Sequence, residues 1–266
     1  MPFDNRPIGV FDSGIGGLTV ARLIQEQLPG EDIIYIGDTA HLPYGEKSVS
    51  QLIEYARRIM DFLVKNRVKV IVAACNTSSS VSIDILRDRY PVPIIGVVKP
   101  GARAAVRVSK NLRIGVLATE ATVKSSAYRR EILSIEENAR VWEIPCPLLV
   151  PAVEQGRTAD PEIKEAIASY LDLPLQNQAD TIVLGCTHYP YLQSVIAEVC
   201  GEQVSIVDPA LETVAELKKV LSDMQGYARR ESGRASFFAT GTTCSFTEIG
   251  ARFYGRDLGR VETVDI

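Results

Sequence analysis

The sequence predicts an α/β protein of two pseudosymmetric lobes with mainly parallel sheets and a ligand site in the cleft between them. Three observations lead there. Short β-branched runs alternate with amphipathic stretches, the βαβα pattern of a parallel sheet flanked by helices. The second half then repeats the first in outline at a nearly constant offset of about 110 residues. Finally, Cys75 and Cys186 each close an apolar strand and are followed at once by hydroxyl-rich or amide-rich segments, NTSSS and THYPY. Each sulfur is thereby expected on a strand-to-helix loop, where open α/β sheets place ligands.

Taken in order, PIGVF (7–11) reads as a strand and LTVARLIQEQL (18–28) as its helix; DIIYIG (32–37) reads as the next strand. In the helix that follows (50–66), Leu52, Tyr55, Ala56, Ile59 and Phe62 with Leu63 recur at helical spacing. Arg57, Arg58, Asp61 and Lys65 fall largely on the opposite side, so one face is core and the other solvent. VKVIVAA (68–74), SVSIDILRDRY (80–90) and VPIIGVV (92–98) continue the alternation. The repeat then begins: IGVFDS (8–13) matches IGVLAT (114–119), IVAACNT matches IVLGCTH, and IIGVVKPGA with Pro100 matches VSIVDPALE with Pro209. Beyond the second lobe's quota of elements come ASFFATG (235–241) and FTEIGARFYG (246–255), which the first lobe can take back. The expected division is 1–98 plus 209–266 for the first lobe and 99–208 for the second.

Composition bounds the function. With 46% hydrophobic and 23% charged residues the 266-residue chain buries one large core or two modest ones. A net charge of -4 without a dense Lys/Arg run argues against a nucleic-acid surface, because phosphate neutralisation needs clustered positive charge. No run is long enough to span a bilayer, and the N-terminus has neither a basic start nor an apolar segment after it, so no membrane partner and a cytoplasmic location are expected. Five widely spaced cysteines without CxxC fit reduced thiols rather than a disulfide framework or a metal site.

Each candidate residue has an ordinary reading beside its chemical one. A single unpaired Cys is commonly a small core residue; the matched settings of Cys75 and Cys186 raise both to site candidates, with helix N-termini expected to favour their thiolates. Cys146, Cys200 and Cys244 lack such counterparts and are assigned to packing or to chance. Asp12, in FDSGIGG, ends the first strand and also suits helix capping. The glycines there do not complete GxGxxG, since Thr19 occupies the sixth place, and there is no GK[ST]. His188, two positions after Cys186, can act as proton partner to that thiol; His41 is not a strong candidate. Asn76, Thr77 and Thr187 offer neutral donors that hold a carboxylate without a permanent cation. Pro43, Tyr44 and Gly45 have the composition of a tight turn, and nothing in the spacing alone raises Glu154 above an exposed helix charge.

Two thiols on opposite walls of a cleft suit a reaction that takes a proton from one face of a carbon and returns one to the other, with one sulfur as thiolate and the other as thiol. At this point the motifs IGVFDSGIGGLTV, YIGDTAHLPYGEKS, AACNTSSS, GVVKPGA, LVPAVEQG and GCTHYPYL, with GARFYG near the end, carry a resemblance. The chain resembles the glutamate racemases of the aspartate/glutamate racemase superfamily, which work without pyridoxal phosphate. The resemblance implies no cofactor and no metal, with glutamate as the small-molecule substrate, D-glutamate for peptidoglycan as the product, and a homodimer as an allowed assembly. It further implies that Cys75 and Cys186 are the acid/base pair, with Asp12 assisting the first and Glu154 and His188 the second. Asp12, Ser13, Pro43, Tyr44, Gly45, Asn76, Thr77, Thr187 and His188 are the implied substrate contacts. His41 stands where Arg is more usual, and TGTTCSF (240–246) departs from the usual charged loop. The alternatives are an aspartate or related racemase of the same superfamily, a two-lobed small-ligand binding protein, which has no need of paired cysteines, and a cysteine hydrolase using Cys186 and His188, which leaves Cys75 unexplained.

Overall fold

A computed structural model describes residues 3–266, apart from the side chains of residues 244 and 245, so Cys244 lies outside the described side chains. Among the described residues ten strands form two sheets, and every pairing within them is parallel. The first sheet holds β1 (Ile8–Asp12), β2 (Ile33–Gly37), β3 (Val70–Ala73) and β4 (Ile94–Gly96); the second holds β5 (Arg113–Ala118), β6 (Arg140–Pro145), β7 (Thr181–Gly185) and β8 (Ser205–Val207). The tail supplies β9 (Ala235–Ala239) and β10 (Val261–Thr263) to the free edge of β2, completing the order β10-β9-β2-β1-β3-β4 beside β6-β5-β7-β8.

The repeat is therefore topological as well as sequential. The order β2-β1-β3-β4 recurs as β6-β5-β7-β8, so β1 corresponds to β5 and β3 to β7. In each sheet the chain leaves the central strand to one side and returns on the other, which opens a crevice at the C-terminal ends of β1 and β3, and again at those of β5 and β7. The central strands are apolar along their whole length because helices cover both faces: Ile8, Val10 and Phe11, like Ile182, Val183 and Leu184, are fully buried.

The amphipathic reading of residues 50–66 corresponds to the helix Val49–Lys65, which buries Leu52, Ala56, Ile59, Met60 and Leu63. Ser48 starts it with a capping box shared with Gln51. The stretch 80–90, expected as one helix, is broken into Asn76–Val81, Ile83–Leu86 and a 3-10 turn at Arg87–Arg89. Its short polar side chains explain the break: Ser82 turns its hydroxyl to the Leu52 carbonyl, and Ser80 to that of Thr77.

Two helices lie where the chain passes between the sheets, Val98–Val108 after β4 and Pro209–Asp223 after β8, and they pack on each other. Arg103 pairs with Glu216 at 2.8 Å and Arg107 with Glu212 at 2.5 Å along that seam. On the Pro209–Asp223 side of the seam one apolar cluster runs from Leu18 and Ile24 through Val214 and Leu217 to Leu184 and Leu192. Among the described residues no helix is long and apolar enough to cross a membrane.

Candidate active site

The two crevices open into one cavity of about 420 Å³. Of the residues singled out in the sequence, Ser13, Pro43, Tyr44, Gly45, Cys75, Asn76, Thr77, Glu154, Cys186, Thr187 and His188 line it. Asp12 does not. It lies directly behind the wall, fully buried, with Oδ2 accepting from the Gly14 N–H at 2.9 Å and Oδ1 from the Thr187 hydroxyl at 3.4 Å. That second bond joins the end of β1 to the end of β7.

Cys75 caps the helix Asn76–Val81, its sulfur accepting from the Ser78 N–H at 3.5 Å. The expectation that this helix end favours the thiolate is not met at Cys75. Burial pushes the thiol up to about 11, the Asp12 charge adds to the rise, and the bonds from Ser78 and Ser13 do not offset them. A helix of six residues has too few aligned peptides, and a residue 4% exposed too little water, to reverse that. Burial likewise raises Asp12 above the ordinary carboxylate range, against the charge of His188 and the bonds from Gly14, Gly17 and Thr187.

The other wall differs. His188 Nδ1 lies 3.8 Å from the Cys186 sulfur and Nε2 lies 3.2 Å from Glu154 Oε1. Burial disfavours the imidazolium, yet the bonds to Cys186 and Glu154, with the charges of Cys186 and Asp12, outweigh it and raise His188 to about 10. Both ring nitrogens then carry protons and both donate. Phe253, from the returning helix Thr243–Tyr254, sets its ring against the imidazole at 5.4 Å, edge to face. Glu154, which sequence spacing left undistinguished, is thereby part of the cluster.

Several lining residues were not anticipated. Thr119 bonds through its hydroxyl to Thr77 at 2.9 Å across the cleft and to Thr122 at 3.0 Å. The repeat held its signal, since IGVLAT aligns Thr119 with Ser13 of IGVFDS. Cys146, assigned to packing, is buried in the core but also lines the cavity near Cys186, its thiol raised by burial; no local pattern marks it. Cys200 does pack against the core. His41 stays outside the cavity, bonded to Asp38 at 2.8 Å and stacked on Tyr55 at 4.0 Å. Asp38, 1% exposed, also accepts from the Tyr44 hydroxyl at 2.5 Å and from Thr240 at 2.6 Å, so it fastens the cavity-wall loop to the returning tail.

No Lys or Arg lines the cavity among the described residues. Its polar lining includes the Ser13, Thr77, Thr119 and Thr187 hydroxyls, the Asn76 amide and His188. Among the described residues no three His, Cys, Asp or Glu side chains converge as metal ligands.

The chain is similar to known proteins over nearly its whole length. Residues 8–217 match the family model described as Asp/Glu/Hydantoin racemase. A glutamate racemase of Desulforudis audaxviator is 46% identical, with 94% of each chain covered. Among solved structures, glutamate racemase isoform RacE1 of Bacillus anthracis superposes with a TM-score of 0.94 at 38% identity, covering 99% of this chain and 98% of that one. The Francisella tularensis glutamate racemase, solved in complex with D-glutamate, gives 0.93 at 34% identity with the same coverage. With the family model spanning most of the sequence and the relatives matching nearly end to end, the chain belongs to the Asp/Glu/Hydantoin racemase family.

Proposed function

We propose that this protein interconverts L-glutamate and D-glutamate by moving a proton at the α-carbon between two thiols, without a cofactor. The observation that carries the reading is that Cys75 and Cys186 leave equivalent strands of the two repeated sheets and line one cavity. The substrate's α-carbon sits between them, one sulfur on each face. A thiolate takes the α-proton from one face, and the opposite thiol returns a proton to the other. The charge that develops on the α-carboxylate meets the Asn76 amide, the Thr77 hydroxyl and the Tyr44–Gly45 backbone, with Thr187, whose proton goes to Asp12, beside them. Ser13, Pro43 and His188 complete the contacts.

The two sides carry different helpers. Cys75, raised to about 11, enters the cycle as a thiol at neutral pH and has Asp12 behind it. Cys186 instead faces His188, which Glu154 holds. The family resemblance supports a product destined for peptidoglycan synthesis and, with it, a cytoplasmic enzyme.

Incubation of pure L-glutamate in deuterated water, without added cofactor, tests the reading through loss of optical rotation and gain of α-deuterium. Wild type is expected to show both, while Cys75→Ser and Cys186→Ser each lose racemisation. Full racemisation by either single variant sinks the two-thiol mechanism, and activity on aspartate alone reassigns the substrate.

A further inference from the structure

Tyr128 belongs to the helix Ala127–Ile135 of the four-stranded lobe and is fully buried there among Val98, Ala102, Val116 and Ile132. Its hydroxyl is turned out of that apolar cluster towards the other lobe, where it donates to Asn76 Oδ1 at 2.7 Å. Among the described residues that is the only hydrogen bond of the Asn76 side chain, whose amide nitrogen has no protein partner, and Asn76 lines the cavity.

We infer that Tyr128 is a positioning residue for substrate binding: its hydroxyl fixes the Asn76 carboxamide in the orientation that presents N–H donors, rather than a carbonyl oxygen, to a substrate carboxylate. The inference rests on the reading of Asn76 as a substrate contact. A carboxamide turned by half a revolution exchanges donor for acceptor with almost no change of shape, so packing alone does not choose between the two. Tyr128 does choose. In the turned state its proton is left without an acceptor in an apolar environment, which carries the full desolvation penalty. The phenol also stays protonated, because burial raises it well above 10 and the charges of Asp208 and Cys186 push the same way. The ring has little freedom to follow a wandering amide. A Cβ at Gly101 would stand only 3.2 Å from its Cε1 and 3.0 Å from Pro209, so glycine there lets the seam helices close on the tyrosine.

The bond also crosses between lobes, from the four-stranded one to the helix that Cys75 caps. Binding competence of the Cys75 wall is thus set from the Cys186 side.

Tyr128→Phe tests this by removing one oxygen and keeping the ring. KM for both enantiomers is expected to rise about tenfold, the factor an ordinary hydrogen bond commands, with kcat changing by less than about threefold. In an Asn76→Ala background the same substitution is expected to leave KM within about twofold, since the amide to be oriented is gone. Asn76→Asp keeps the acceptor for Tyr128 and puts an anionic oxygen towards the cavity, so its KM is expected to exceed that of Asn76→Ala. An unmoved KM in Tyr128→Phe, an equal rise with and without the Asn76 amide, or wild-type binding by Asn76→Asp overturns the inference. If wild type itself leaves glutamate unchanged, the functional reading beneath falls and takes the inference with it, an outcome distinct from normal turnover with an unmoved variant.

Discussion

Replacing His188 by Asn removes the positive charge from between Cys186 and Glu154 while keeping a planar polar side chain. The rise of the imidazole from 6.5 to about 10 measures how strongly the site prefers the charged ring. At about 1.4 kcal/mol per pH unit this is about 5 kcal/mol, net of the burial that opposes it. The partners are the sulfur at 3.8 Å, the Glu154 carboxylate at 3.2 Å and the buried Asp12. A hydrogen bond to a charged group contributes about 1.5–3 kcal/mol, so losing the ring's contact with the Cys186 sulfur is expected to cost about 2 kcal/mol, or a factor of about 30 in rate. Enantiomers have equal free energies, so the equilibrium constant is unity and kcat/KM must fall by the same factor in both directions. The asymmetry shows in kcat, which falls more where Cys186 is the base, with KM compensating. Polarimetric rates from each pure enantiomer, with α-deuterated substrate to report the proton-transfer step, measure it. A well-folded variant whose kcat/KM falls less than about threefold, or whose kcat falls equally in both directions, refutes the reasoning.

Three other outcomes follow from the packing around the site and the core. A Cβ at Gly16 would run into the Thr187 hydroxyl and stand 2.7 Å from His188 Nδ1, so Gly16→Ala is expected to lower kcat/KM by about 100-fold with an unchanged circular dichroism spectrum; near-normal activity contradicts this. Lys69 is fully buried, paired with Glu31 at 2.5 Å and donating to the Asp4 and Gly226 carbonyls at 2.7 Å. Lys69→Met strands the Glu31 carboxylate at a cost of about 3–5 kcal/mol, or roughly 6–20 °C in Tm, and Lys69→Met with Glu31→Leu regains most of it; a Tm drop under about 3 °C shows the pair to be dispensable. For pH, the folded value of His188 lies above its unfolded one, so its stabilisation is complete below about pH 6.5 and is lost as pH rises through about 10. The Tm of wild type is therefore expected to fall more steeply from pH 7 to 10 than that of His188→Asn, and parallel slopes would disprove the linkage.

The positions of Cys75 and Cys186 were legible because a strand end is a local signal: an apolar β-branched run stops, and polar residues begin. The repeat was legible for a related reason, since two copies of one topology keep their strand-end motifs in order. It even held Thr119, aligned with Ser13, although nothing local raised it. Helix limits were less legible at 76–89, where serine hydroxyls compete for backbone carbonyls in ways that periodicity does not register.

By itself, then, the sequence determined two repeated α/β lobes with a thiol at the exit of each corresponding strand, because side-chain period and strand-end chemistry are properties of neighbouring residues. Only the tertiary structure decided what those thiols are. Equal settings in the sequence became a buried thiol backed by Asp12 and a sulfur beside a charged His188, because burial and charge depend on groups distant in the chain. For the same reason it alone revealed Cys146 in the cavity wall, Asp38 under the Tyr44 loop and Tyr128 behind Asn76.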